Sequence, residues 1–178
     1  MSFFDAPEPP EAGDPPPRPW WEPPAAEIGV PVLPDVRLLT TGAVAVAVRN
    51  LAAYTTGFSF VLVQRLTDAI RAEPFHRLHP RRRSPLPDDA FRFGLEFADG
   101  RRGTIFDSPS GGSEPGDRIA LLGRGGSSSR GGADLQYWAA PLPPSGLLAF
   151  VCEWPSEGVP LTRVEIDAAG LIEAAGRG

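Results

Sequence analysis

Apolar residues recur at every second position through much of this chain, the spacing of a strand with one packed face and one wet face. AVAVAVRN, residues 43–50, sets valines on one side and alanines on the other. GFSFVLVQRL, residues 57–66, sets Phe58, Phe60 and Leu62 against Ser59, Val61, Val63 and Arg65. The strongest local signal is FRFGLEFADGRRGTIFD, residues 91–107. Phe91, Phe93, Leu95 and Phe97 share one face, Arg92 and Glu96 take the other, and Asp99–Gly100 is a favoured two-residue hairpin turn. With that turn Phe93 opposes Phe106, Leu95 opposes Thr104 and Arg92 opposes Asp107.

DLQYWAAPL, residues 134–142, and GLLAFVCEW, residues 146–154, read as two further strands. The second is apolar on both faces, with Leu148, Phe150, Cys152 and Trp154 on one and Leu147, Ala149 and Val151 on the other, so it belongs at a covered position. IGVPVL and VRLL suggest short opening strands, and TRVEID, residues 162–167, a last one with Val164 and Ile166 inward. DAAGLIEAAG then predicts a short helix capped by Asp167 and weakened by Gly170.

Two stretches lack the alternation. Residues 67–90 are rich in proline and arginine, and residues 108–133 in glycine and serine, apart from a short strand at Ile119–Leu122. Both read as long loops. The whole pattern predicts an all-β protein: an antiparallel β-sandwich, jelly-roll or Ig-like, of about seven to nine short strands spanning 28–178.

Residues 1–27 contain nine prolines and predict a disordered or docked arm. The arm also changes the meaning of the net charge of −5: six acids stand there against Arg18 alone, while the rest of the chain is neutral. A neutral body gives no general attraction to nucleic acid or to an anionic membrane. FFDAPEPP and WWEPPAAE each place an aromatic pair before an acid and a proline-rich run. Phe3, Phe4, Trp20 and Trp21 are therefore candidate contacts, either folding back onto the chain's own body or anchoring a partner. The N-terminus lacks the basic and apolar regions of an export signal, and a single cysteine forms no internal disulfide, so a cytoplasmic setting is expected.

Catalytic sets do not assemble. His76 and His79 have HxxH spacing, but Pro80 opposes a helix and no further ligand stands nearby, so a hydrolase built on them is the least favoured reading and no metal or cofactor is expected. GRGGSSSRGG, residues 123–132, lacks the lysine and the strand–loop–helix setting of a phosphate cradle and reads as a flexible linker. Arg77, Arg81, Arg82 and Arg83 form a cationic cluster suited to an acidic partner. Cys152, mid-strand between Phe150 and Trp154, reads as an inert small hydrophobe. Glu153 points to the opposite face and reaches either solvent or an arginine, with Arg49, Arg65, Arg92 and Arg163 as candidates for a buried ion pair.

FVCEWP, GVPLTRVEIDAA, GFSFVLVQRL, FRFGLEFADGR and FDAPEPP together resemble the segments of an uncharacterised actinobacterial protein family. The resemblance implies a bacterial cytoplasmic origin, in keeping with seventeen basic residues that are all arginine. It supplies no activity, cofactor or site residue. The expectation is a non-catalytic module that binds another protein through the acidic arm, the arginine loop or both. The alternative is a jelly roll that binds a small ligand or carbohydrate on Trp138 or Trp154.

Overall fold

Among the described residues, alternation becomes structure in ten strands, with one α-helix and a short 3-10 turn at Pro155–Glu157. The computed structural model describes residues 18–32, 35–67, 88–107, 116–129 and 131–178. The strands are β1 (Val30–Pro31), β2 (Val36–Thr40), β3 (Val44–Tyr54), β4 (Gly57–Leu66), β5 (Arg92–Glu96), β6 (Arg102–Thr104), β7 (Ala120–Ser129), β8 (Gly132–Ala140), β9 (Leu147–Trp154) and β10 (Val159–Asp167). Helix α1 (Ala169–Ala175) follows with Ala168, not the expected Asp167, at its N-cap and no side-chain cap; Asp167, one residue earlier, accepts the Ala169 N–H at 2.9 Å.

The strands form two antiparallel sheets packed as a sandwich. One is six-stranded, in the order β1-β3-β4-β8-β7, with β2 also paired to β3; the other is four-stranded, in the order β10-β9-β5-β6. The long strand β3 serves both β1 and β2 because each covers only half of it: Val30 pairs with Ala53, and Val36 with Val48. The chain passes between the sheets at residue 119, whose N–H bonds the Arg102 carbonyl at 3.1 Å just before β7 begins.

The inward faces are those the alternation names. Val44, Val46, Val48, Phe58, Phe60 and Leu62 from one sheet meet Phe91, Phe93, Leu95, Phe97, Leu148, Phe150 and Cys152 from the other, all buried. Phe60 sits at the centre, with ring centroids 5.8 Å from Phe93, 5.6 Å from Tyr137 and 6.0 Å from Phe150. Aromatic rings fill a gap of about 10 Å between sheets with few side chains, which suits strands this short.

Two local readings are corrected. The β5–β6 hairpin is slipped by one residue from the expected register: Leu95 faces Gly103 and Gly94 faces Thr104. The turn is longer than Asp99–Gly100. The Gly100 N–H bonds the Phe97 carbonyl at 3.0 Å, and Gly100 itself takes φ +86°, the left-handed step that closes a three-residue loop. Strand β6 then stops at Thr104, where Asp107 folds back to accept the Thr104 N–H at 2.7 Å, so Phe106 and Asp107 oppose nothing in β5. The glycine- and serine-rich stretch read as loop and linker is, over 120–129, a ten-residue strand. It pairs with β8, which begins at Gly132 rather than Asp134. Glycine serves close approach here: at Gly132, φ +151°, a Cβ would overlap the Gln64 carbonyl oxygen on β4. The described part of the arm, from residue 18 on, runs with the body. The Glu27 carboxylate accepts the Thr55 N–H at 2.9 Å, and the Val32 N–H bonds the Leu51 carbonyl at 2.8 Å.

A candidate peptide groove on the six-stranded sheet

The two outer faces of the sandwich differ in chemistry. On the four-stranded sheet, register places Arg102, Glu96, Ala149 and Glu165 in one row across β6, β5, β9 and β10. Arg102 Nε lies 2.8 Å from Glu96, Arg163 Nη1 3.3 Å from the same carboxylate oxygen, and Arg163 Nη2 2.9 Å from Glu165. Glu153 settles on this face too. It stands directly opposite Arg92, whose guanidinium donates to it and also reaches the Asp88 carbonyl at 3.1 Å. The pair is half-buried, with side-chain exposures of 37% for Arg92 and 24% for Glu153. The carboxylate reaches an arginine across the sheet. Cys152 behaves as expected, since burial pushes its thiol up to about 11.

The outer face of the six-stranded sheet is apolar and half-exposed, with Ala45, Ala47, Val61 and Val63 along it. Its charges are mostly matched: Arg49 pairs with Asp35 at 2.7 Å and holds that carboxyl below its usual value by hydrogen bonding, and Arg65 grips Asp134 at 2.6 and 3.1 Å. At one end lies a groove of about 380 Å³, near the lower limit of ligand pockets. Its floor is the Ser59–Trp138 and Val61–Gln136 pairs of β4 and β8, Tyr54 stands on one side, and Pro23 of the arm lies against it. The Tyr54 and Trp138 rings meet edge to face at 5.2 Å.

Bulges in the two flanking strands complete this groove. In β3 the register shifts between Arg49 and Ala52, and Asn50 within the shift takes φ +52°. In β7 it shifts between Gly123, opposite Tyr137, and Gly125, opposite Gln136, which leaves Arg124 as the extra residue. Asn50 and Arg124 both line the groove. A bulge turns a side chain out of the alternation and often stands beside a binding site. Arg124 is exposed and makes no ion pair with any described residue. The Trp138 indole N–H is buried with no acceptor, as is that of Trp20.

The candidate contacts of the sequence reading divide. Trp20 and Trp21 are half-buried and pack edge to face on each other at 5.7 Å, inside a turn where the Glu22 N–H bonds the Pro19 carbonyl. Phe3, Phe4, His76, His79, Arg77, Arg81, Arg82 and Arg83 lie outside the described residues. Trp138 and Trp154 are 2% and 4% exposed, so neither offers the open ring face on which a sugar would stack. Asn50, Arg124 and Gln136 were not singled out by the sequence pattern; the glycines on both sides of Arg124 are the one signal of a local break. Among the described residues no three His, Cys, Asp or Glu side chains gather as a metal site, and no helix is long and apolar enough to cross a membrane. No protein-family model, curated protein or solved structure matches the chain.

Proposed function

We propose that this chain is a non-catalytic protein-interaction module that engages another protein through the outer face of its six-stranded sheet. The observation that carries the reading is the groove framed by two bulges, which deliver Asn50 and Arg124 to either side of a floor built from β4 and β8. The contrast between the faces supports it. The opposite sheet covers itself with ion pairs, whereas this one leaves Val61, Val63, Ala45 and Ala47 partly open. The earlier expectation of a partner bound by the arm and the arginine loop becomes narrower, because described arm residues already lie on this face.

The test is affinity capture from a bacterial lysate with full-length protein, comparing wild type with Val61→Glu, Val63→Glu and, on the edge of the opposite sheet, Leu161→Glu. The same proteins should be captured by wild type and Leu161→Glu and lost with Val61→Glu or Val63→Glu, all four baits showing the same thermal midpoint. Equal capture by all four removes this face from the interaction.

A further inference from the structure

Resting on that reading, we propose that the groove is a site for an acidic, proline-rich peptide, and that its occupant is FFDAPEPP, residues 3–10 of the chain's own arm. The argument begins from what the groove lacks. It presents a cation with no ion pair among the described residues, the Arg124 guanidinium, exposed at its bulge. The exposed amides of Asn50 and Gln136 line the same groove. The complementary ligand is rich in acceptors and negatively charged. A proline-containing backbone meets the first requirement, since proline removes an N–H and keeps the carbonyl. Adjacent carboxylates meet the second.

The described arm already shows the fit in part. WWEPP, residues 20–24, lays Pro23 against the groove beside the edge-to-face pair of Tyr54 and Trp138, the kind of aromatic crevice into which proline rings dock. FFDAPEPP repeats the pattern of aromatic pair, acid and proline run, and carries Asp5 and Glu8. Seven residues separate its end from Arg18, a reach of roughly 25 Å when extended, about the width of a five-strand face. The tether also holds the segment at an effective concentration on the order of millimolar, so modest affinity suffices.

The test uses the full chain with Ser2→Cys carrying a nitroxide spin label, Cys152 staying unlabelled because it is buried. In ¹⁵N-labelled protein the amide signals of Ser59, Val61 and Gln136 should lose at least half their intensity. Those of Gly94, Val151 and Glu165 on the other sheet should keep theirs. Adding Arg124→Glu should restore the lost intensity. Unchanged signals at the groove overturn the proposal. So does an equal loss when spin-labelled ¹⁴N chains are mixed with unlabelled ¹⁵N chains, which assigns the groove to a second copy. Broadening that survives Arg124→Glu overturns the charge argument. Failure here with partner capture still lost in Val61→Glu leaves the interaction face standing and removes only its occupant.

Discussion

Replacing Gln64 by methionine should stabilise the protein. Gln64 occupies the fourth inward position of β4, after Phe58, Phe60 and Leu62, and is wholly buried between Val46 of β3 and Ala133 of β8. Neither its amide oxygen nor its amide nitrogen has a hydrogen-bond partner. An amide taken from water into a protein interior without replacement bonds costs about 1–3 kcal/mol. Methionine has a similar length and volume, keeps the packing and removes the unpaired groups. Gln64→Met should therefore gain about 2 kcal/mol, a rise of about 4–8 °C in Tm for a chain of this size. Calorimetry and urea unfolding would measure it, with the urea m-value unchanged. Gln136→Met provides the control, because it makes the same replacement one strand away on an exposed outer position and should stay within about 0.5 kcal/mol of wild type. A loss of 1 kcal/mol or more in Gln64→Met would refute the reasoning, since it would mean that the amide is bonded in solution.

Two further outcomes follow from the opposite sheet. A double-mutant cycle with Arg92→Met and Glu153→Gln should give a coupling of about 0.5–1 kcal/mol, the range for a half-exposed pair, shrinking when salt is raised to about 1 M. Zero coupling at low salt would show that the cross-strand geometry is not kept. Alkaline lability should carry the mark of Cys152, whose thiol ionises near 9.0 when unfolded and near 11 when folded. Between those values the folded state binds the extra proton. Stability is therefore complete below about pH 9 and falls as pH rises to about 11, by at most about 1.4 kcal/mol per pH unit. Cys152→Ala should flatten that part of the urea-midpoint profile. Burial raises the Tyr137 hydroxyl as well and extends the decline to higher pH.

Side chains that differ strongly between odd and even positions made the core legible. Phe58, Phe60 and Leu62, and Phe91 through Phe97, announce both a strand and its inward face, and each is buried as the alternation requires. Where the side chain vanishes, so does the signal: Gly123, Gly125 and Gly126 carry no alternation, and β7 was legible only as far as Leu122 although its backbone pairs along nearly its whole length. Register was lost for a related reason. The slip in the β5–β6 hairpin depends on the left-handed step at Gly100, a property of one dihedral angle rather than of any pattern of polarity. The groove was the least legible feature, because bulges at Asn50 and Arg124 interrupt the very periodicity used to read a strand. Glu153 shows the intermediate case. Its side of the strand followed from counting by two, while its partner depended on which strand lay next to β9.

The two bulges separate the side chains that line the groove from those that keep the protein folded. Its shape comes from main-chain geometry in β3 and β7, whereas Asn50, Arg124 and Gln136 are exposed side chains mounted on that frame. Substitutions at such positions usually change stability by less than about 0.5 kcal/mol. On the proposed reading, the chemistry presented by this face is thus free to drift over generations of sequence change while the aromatic core holds the sandwich constant.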